Sequence, residues 1–167
     1  MVTVAVVSDS HIPGRAEAIP EAFRERIADA DHVVHAGDVT DRPTLRTFRE
    51  LADGALTAVR GNADVGTLDL PTVATLSVGG VTFVVTHGTG DLDSYEARVA
   101  ATVRATAVDG AVVVGLAGHT HEVLDEVVDE VRLLNPGSVT GAWPAERATM
   151  FVLDVEDGEV EARLLEA

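Results

Sequence analysis

Cysteine is absent from this 167-residue chain, and lysine is absent with it. Without cysteine there can be no disulfide and no thiolate ligand, so any metal must be held by nitrogen and oxygen. All 12 basic residues are arginine, set against 28 acids, for a formal net charge of −16. Such a surface repels nucleic acid and anionic membrane, which excludes strong polyanion binding. No apolar run approaches the roughly 18 residues of a membrane-spanning helix. The opening VTVAVVSDSH also lacks the basic start and small-residue cleavage site of a signal peptide. The expectation is a cytoplasmic protein with no nucleic-acid or membrane partner.

Acidic disorder is the bland reading of so much charge, but 46% hydrophobic residues in dense strand patterns argue against it. A folded protein with a solvated acidic shell, as in a halophile whose salt screens the self-repulsion, accounts for both features. The same field attracts cations and repels phosphate esters unless metal or salt offsets it.

The pattern predicts alternating elements, then a run of strands. Val2–Val7 is too apolar to face water on one side and reads as a central strand. A helix is expected from near Pro20, with Phe23 and Ile27 on one face. His32–His35 reads as a short strand, and Pro43 opens a second helix whose Leu45, Phe48 and Leu51 or Ala52 share a stripe. A strand over 55–59 follows. Val73–Val78 and Val81–Thr86 flank Gly79-Gly80 and read as a hairpin. An amphipathic helix is expected over 93–108, then strands over 111–116, 122–127, 130–134, 148–155 and 159–164. No repeat or linker divides the chain, so 1–167 reads as one domain. The order suggests an α/β fold in which two packed mixed sheets are flanked by helices.

Metal-capable residues fall at informative places. Asp9 and His11 follow the first strand, Asp38 the second, Asn62 the third, His87 the fifth, and His119 with His121 the sixth. Seven nitrogen or oxygen donors thus sit just past the C-terminal ends of five predicted strands, the edge where open α/β sheets bind ligands. Two divalent ions about 3.5–4 Å apart require a bridging carboxylate with mixed imidazole and oxygen ligands. Asp38, with two oxygens in a tight Gly-Asp turn, is the natural bridge. Alternate residues of an extended segment can share a side, so Asp9 with His11, and His119 with His121, could each deliver two donors. Gly37, Gly61, Gly88 and Gly118 would let the backbone pass close to the ions.

The series DSH, GD, GNAD, HG and GHTH, in this order and at these intervals, resembles the calcineurin-like metallophosphoesterase superfamily, in particular its small prokaryotic phosphodiesterase branch. The resemblance runs from Asp9 through the NPGS at 135–138. It implies a four-layer αββα sandwich with Asp9, His11, Asp38 and His121 around one ion. Asp38, Asn62, His87 and His119 would hold the other. The implied activity is phosphodiester hydrolysis by in-line attack of a hydroxide bridging the ions, with Asp38, Asn62 and His87 as catalytic residues. Manganese is the first expectation for both ions, with nickel, iron(II) and zinc open. Two departures stand out. Ala63 occupies the place where many members carry a leaving-group histidine, and Thr89 replaces the second histidine of the common HGH.

Competing readings remain beside these. Asp9 and Ser10 could cap a turn, and Asp41 reads as an N-cap before Pro43 rather than a second site acid. His32 and His35 match no ligand position and read as solvated or core residues. Gly88-Thr89-Gly90 resembles a phosphate-binding loop ahead of a helix. NPGS reads as a turn supporting the site, and Trp143 as packing beneath the site or lining its rim. For the whole chain, a phosphomonoesterase stays open. So does an interaction scaffold of the kind formed by some proteins of this fold, including a retromer subunit. Val- and Ala-rich edge strands would suit a homo-oligomer.

Overall fold

The β-branched run Val2–Val7 forms β1 and is buried on both faces. Period-two alternation sends Ala5 and Val7 into one core and Val4 and Val6 into another. The computed structural model describes all 167 residues, and β1 is the middle strand of a five-stranded sheet. His32–His35 (β2) and Leu56–Ala58 (β3) extend that sheet in parallel on one side of β1. Thr149–Glu156 (β9) pairs antiparallel on the other side, and Glu159–Glu166 (β10) closes the edge.

A second five-stranded sheet contains Val73–Val78 (β4), Val81–Thr86 (β5), Val112–Leu116 (β6), Val123–Val128 (β7) and Val131–Pro136 (β8). Its order is β4-β5-β6-β8-β7, with β5, β6 and β8 parallel and the two edge strands antiparallel. The expected hairpin at Gly79-Gly80 joins β4 to β5.

Three cores hold four layers together. Phe23 and Ile27 of Glu21–Asp29 (α1) and Leu45 and Phe48 of Arg42–Leu51 (α2) pack on the outer face of the first sheet. Val4, Val34, Phe83, Leu116, Leu134 and Leu153 fill the space between the sheets. Tyr95, Val99 and Val103 of Tyr95–Thr106 (α3) cover the outer face of the second sheet. The arrangement is the expected αββα sandwich of two mixed sheets.

The element boundaries differ from expectation at two places that matter for the site. The helix expected from residue 93 begins at Tyr95. Asp91 instead accepts a hydrogen bond from the Asp93 N–H at 3.0 Å and starts a short 3-10 turn, Leu92–Ser94. Strand β8 continues to Pro136, which carries Asn135 into the buried interior. Asp41 caps α2 as expected, its carboxylate accepting from the Thr44 N–H at 2.9 Å.

Phe83 lies fully buried between the sheets. Phe83→Ala is expected to cost about 3–5 kcal/mol in urea unfolding, the usual range for deleting a buried ring. Val127 is 71% exposed on edge strand β7. Val127→Ala should shift stability by less than about 0.5 kcal/mol in the same measurement.

Candidate metal centre

The C-terminal ends of β1, β2 and β3 in one sheet meet those of β5 and β6 in the other. Backbone hydrogen bonds extend beyond the strands and lock the emerging loops together. The Asp9 N–H donates to the Gly37 carbonyl at 2.9 Å, His11 N–H to Asp38 at 3.2 Å, and Gly118 N–H to His87 at 3.1 Å. All seven expected donors come together at this seam.

The two donor pairs are not extended, contrary to expectation. Asp9 and His11 have φ of 53° and 45°, and His119 and His121 have φ of 75° and 61°. Asp38 shares this left-handed conformation at 58°. Each such residue costs on the order of 1 kcal/mol, a strain that concentrates at functional sites. The left-handed turns let a short loop aim two side chains inward without continuing the strand.

Two clusters of donors result. In one, His121 Nε2 lies 3.3 Å from Asp9 Oδ1, and His11 Nε2 lies 3.8 Å from the same oxygen. In the other, His87 Nε2 lies 3.2 Å from Asp38 Oδ2 and 3.1 Å from Asn62 Oδ1. The same amide oxygen lies 3.0 Å from His119 Nδ1. Asp38 Oδ2 is also 3.4 Å from His11 Nε2, so this carboxylate stands between the clusters. Asp9 Oδ1 approaches His87 Nε2 at 3.8 Å and touches both as well.

Three of the histidines are held in one tautomer from behind. His87 Nδ1 donates to the Ala36 carbonyl at 2.7 Å, and His121 Nδ1 donates to Ala142 at 2.9 Å. His119 Nε2 donates to Gly90 at 3.0 Å. A carbonyl can only accept, so the opposite nitrogen of each neutral ring presents its lone pair to the site. Backbone orientation of the outer ring nitrogen is the arrangement metal-ligating histidines adopt. The inward atoms are therefore imidazole lone pairs, carboxylate oxygens and one amide oxygen. Asp9 Oδ1 and His11 Nε2 are buried with no hydrogen-bond partner. Acceptors that converge in this way are stabilised by protons or a metal cation between them.

The electrostatics agree. Burial pushes Asp9 and Asp38 upward, but the close histidines, His11 and His121 beside Asp9 and His11 and His87 beside Asp38, hold both well below the usual carboxylate range. Burial pulls His11 down, yet Asp38 and Asp9 outweigh it and lift the ring to about 9. His87 is raised in the same way, chiefly by Asp38 after the opposing effect of burial. In the metal-free chain protons take the cationic role, and a metal ion bound here would displace them.

Several residues support the donor set from behind. Asp64 is buried and accepts from the N–H groups of Asp38 (3.0 Å), Thr40 (2.7 Å) and Gly61 (2.8 Å). One carboxylate thus ties the β2 and β3 loops together, and its visible signal is the last residue of GN-x-D. His35 is a core residue rather than a solvated one. Gly37 N–H donates to its Nδ1 at 3.2 Å, which leaves Nε2–H to donate to Ser10 Oγ at 3.0 Å. Burial pushes this ring down to about 4, so it stays neutral and braces two ligand loops. His32 sits at the far end of β2 from the seam. Asn135 donates from Nδ2 to the Gly118 carbonyl at 2.9 Å, and Tyr95 Oη donates to that carbonyl at 2.6 Å. Ser138 Oγ donates to the Asp9 carbonyl at 2.8 Å, so the NPGS turn supports the site as expected.

Other expected features take definite places. A Cβ on Gly61 would strike Asp38 Oδ1, and one on Gly118 would strike Ser8 Oγ and Asp9 Oδ2. These glycines make room for the carboxylates that line the site. The Gly88-Thr89-Gly90 loop is tied to α3 and to the donor set through its carbonyls. Its Gly88 and Thr89 carbonyls accept from Arg98, and that of Gly90 from His119. Trp143 is not packed beneath the site, which leaves its other reading, a residue of the rim. It is 76% exposed, and its carbonyl accepts from Arg15 at 3.0 Å.

Known proteins share both the sequence and the fold. A probable metallophosphoesterase of Methanocaldococcus jannaschii is 33% identical over 162 residues, covering 97% of this chain and 80% of that protein. A phosphodiesterase of the same organism is 25% identical, covering 98% of this chain and 99% of that one. The crystal structure of Chaetomium thermophilum Vps29 matches with a TM-score of 0.80 at 23% identity, over 100% of this chain and 97% of that chain, a likeness of fold. Residues 2–158 match the calcineurin-like phosphoesterase superfamily domain. With the donor set gathered at the strand ends, these matches lead to one conclusion: the chain belongs to the calcineurin-like phosphoesterase superfamily.

Proposed function

We propose that the protein is a metal-dependent phosphodiesterase, with residues 1–167 working as one unit around a dinuclear centre. The observation that carries this reading is the buried convergence of acceptors, with Asp9 Oδ1 and His11 Nε2 unpaired within it. Asp9, His11, Asp38 and His121 would hold one ion, and Asp38, Asn62, His87 and His119 the other. Manganese is our first choice for a donor set of imidazole, carboxylate and amide oxygen, ahead of nickel, iron(II) and zinc. The acidic shell supports a high-salt setting, in which its self-repulsion is screened.

Bound divalent ions supply an acidified water as nucleophile and neutralise charge on the phosphoryl oxygens. The chain's own residues do the rest. Asp9 is sealed from solvent, whereas Asn62 is exposed and His119 half-exposed, so the ester enters from the Asn62–His119 side. Asn62 and His119 sit where they can orient the ester, and Asp38, clamped by the Ala63 N–H at 2.8 Å, cannot swing away. Ala63 offers no side-chain proton to a leaving group, which favours esters whose leaving oxygen needs little protonation.

The direct test is hydrolysis of bis-p-nitrophenyl phosphate by metal-stripped protein resupplied with manganese, nickel or zinc, at high and low salt. Turnover should depend on added metal. Asp38→Asn should lower it at least about 100-fold while the circular dichroism spectrum is retained. Folded protein with no turnover under any metal would move the reading to a phosphomonoesterase or a scaffold.

A second test reads protons instead of product. His11, lifted to about 9, is protonated at pH 7 in the metal-free protein and must lose that proton to a metal. Metal affinity should therefore rise with pH until about 9. Calorimetry at pH 7 in buffers of different ionisation enthalpy should show proton release on metal binding, reduced by about one proton in His11→Asn. Binding with no proton release would contradict the assignment.

A further inference from the structure

A chain with a net charge of −16 repels phosphate esters, so the centre needs local help to attract one. The cleft beside the centre departs from the acidic pattern. It encloses about 200 Å³ beside His87, at the end of β5 and against α3. No carboxylate lines it, although 28 of the 167 residues are acids. A comparable hollow of about 280 Å³ at the β9–β10 turn is walled by five of them.

The cleft's walls carry Arg60, Arg98 and the threonines Thr72, Thr86, Thr89 and Thr102. Both positive charges remain uncancelled. Arg98 makes no ion pair: it donates to the carbonyls of Thr89 (2.7 Å), Gly88 (3.3 Å) and Asp91 (2.7 Å) and to Ser94 Oγ (2.9 Å). The Arg60 side chain has no hydrogen-bond or ion-pair partner in the chain; only its backbone N–H is engaged, by Pro71 at 2.8 Å. Thr89, the departure from the superfamily's common HGH, stands in this wall. His87 belongs to both places, since the residue borders the cleft while its Nε2 faces Asp38 at 3.2 Å.

An unpaired guanidinium beside hydroxyl groups, with no competing carboxylate, is suited to a phosphate group, which arginine grips with two parallel hydrogen bonds. We propose that this cleft binds a second phosphate of the substrate, so that the preferred substrates are phosphodiesters carrying a further phosphate close to the scissile one. The proposal rests on the phosphodiesterase reading above. It also accounts for how an acidic protein captures an anion: the ester is held at two points, the centre and Arg60.

Two esters separate the effects. Thymidine 5′-(p-nitrophenyl phosphate) and the same compound with an added 3′-phosphate share one scissile bond and one leaving group. The manganese-loaded protein should prefer the second by roughly tenfold in kcat/KM, and Arg60→Gln should bring the ratio close to one. A wild-type ratio near one, or a preference that survives Arg60→Gln, overturns the proposal. Cleavage of neither ester would count against the phosphodiesterase reading, and the cleft is then judged without catalysis. Inorganic phosphate titrated calorimetrically into metal-free protein should bind roughly tenfold more weakly to Arg60→Gln than to wild type. Equal affinity, or no binding to either, overturns it on that measurement too.

Discussion

Lone pairs that face one another in a buried site are the constraint on which the rest of the structure depends. Asp9 and Asp38 are nearly sealed from water, and imidazole nitrogens meet their oxygens at 3.2–3.8 Å. Such an array costs several kcal/mol unless a cation occupies it. Protons can fill the role, as the raised His11 and His87 indicate, but the tautomers are set for something else. Three backbone carbonyls, each from a different loop, hold the outer ring nitrogens of His87, His119 and His121. The fold thus commits its histidines to present lone pairs inward.

That commitment explains the strain around the site. Asp9, His11, Asp38, His119 and His121 all take left-handed backbone conformations, which loops tolerate only where surrounding contacts over-determine them. Asp64 supplies such contacts by accepting three N–H groups from two loops. Neutral His35 joins the Ser10 and Gly37 segments, and Asn135 with Tyr95 grips the carbonyl of Gly118. The sandwich behind them is rigid apolar packing. Its role in the chemistry is to hold five strand ends in one place.

Charge is distributed with the same economy. The outer surface is strongly acidic, and the arginines are mostly spent on ion pairs, carbonyls or solvent-facing helix positions. The acid-free cleft beside His87 is an exception next to the centre. An acidic field that draws in cations and a small basic cleft that receives an anion are compatible, because they act at different distances.

The sequence by itself determined the elements and the kinds of donor. Val2–Val7 could only be a central strand, Gly79-Gly80 a hairpin and Asp41 a cap, and seven nitrogen and oxygen donors at five strand ends announced a metal site. These features are legible because they depend on neighbours in the chain: periodicity, turn chemistry and residue type. Tertiary structure decided how the donors face one another. Nothing local in DSH or GHTH indicates left-handed turns, and nothing near Asp9 indicates that Ser138, 129 positions away, will hold its carbonyl. The carbonyls that set the tautomers of His87 and His121 lie 51 and 21 positions from the rings they orient. Arg60 and Arg98 likewise meet in one cleft only after two sheets have packed. Such contacts join segments whose separation in sequence carries no signal, so only the folded chain brings them into being.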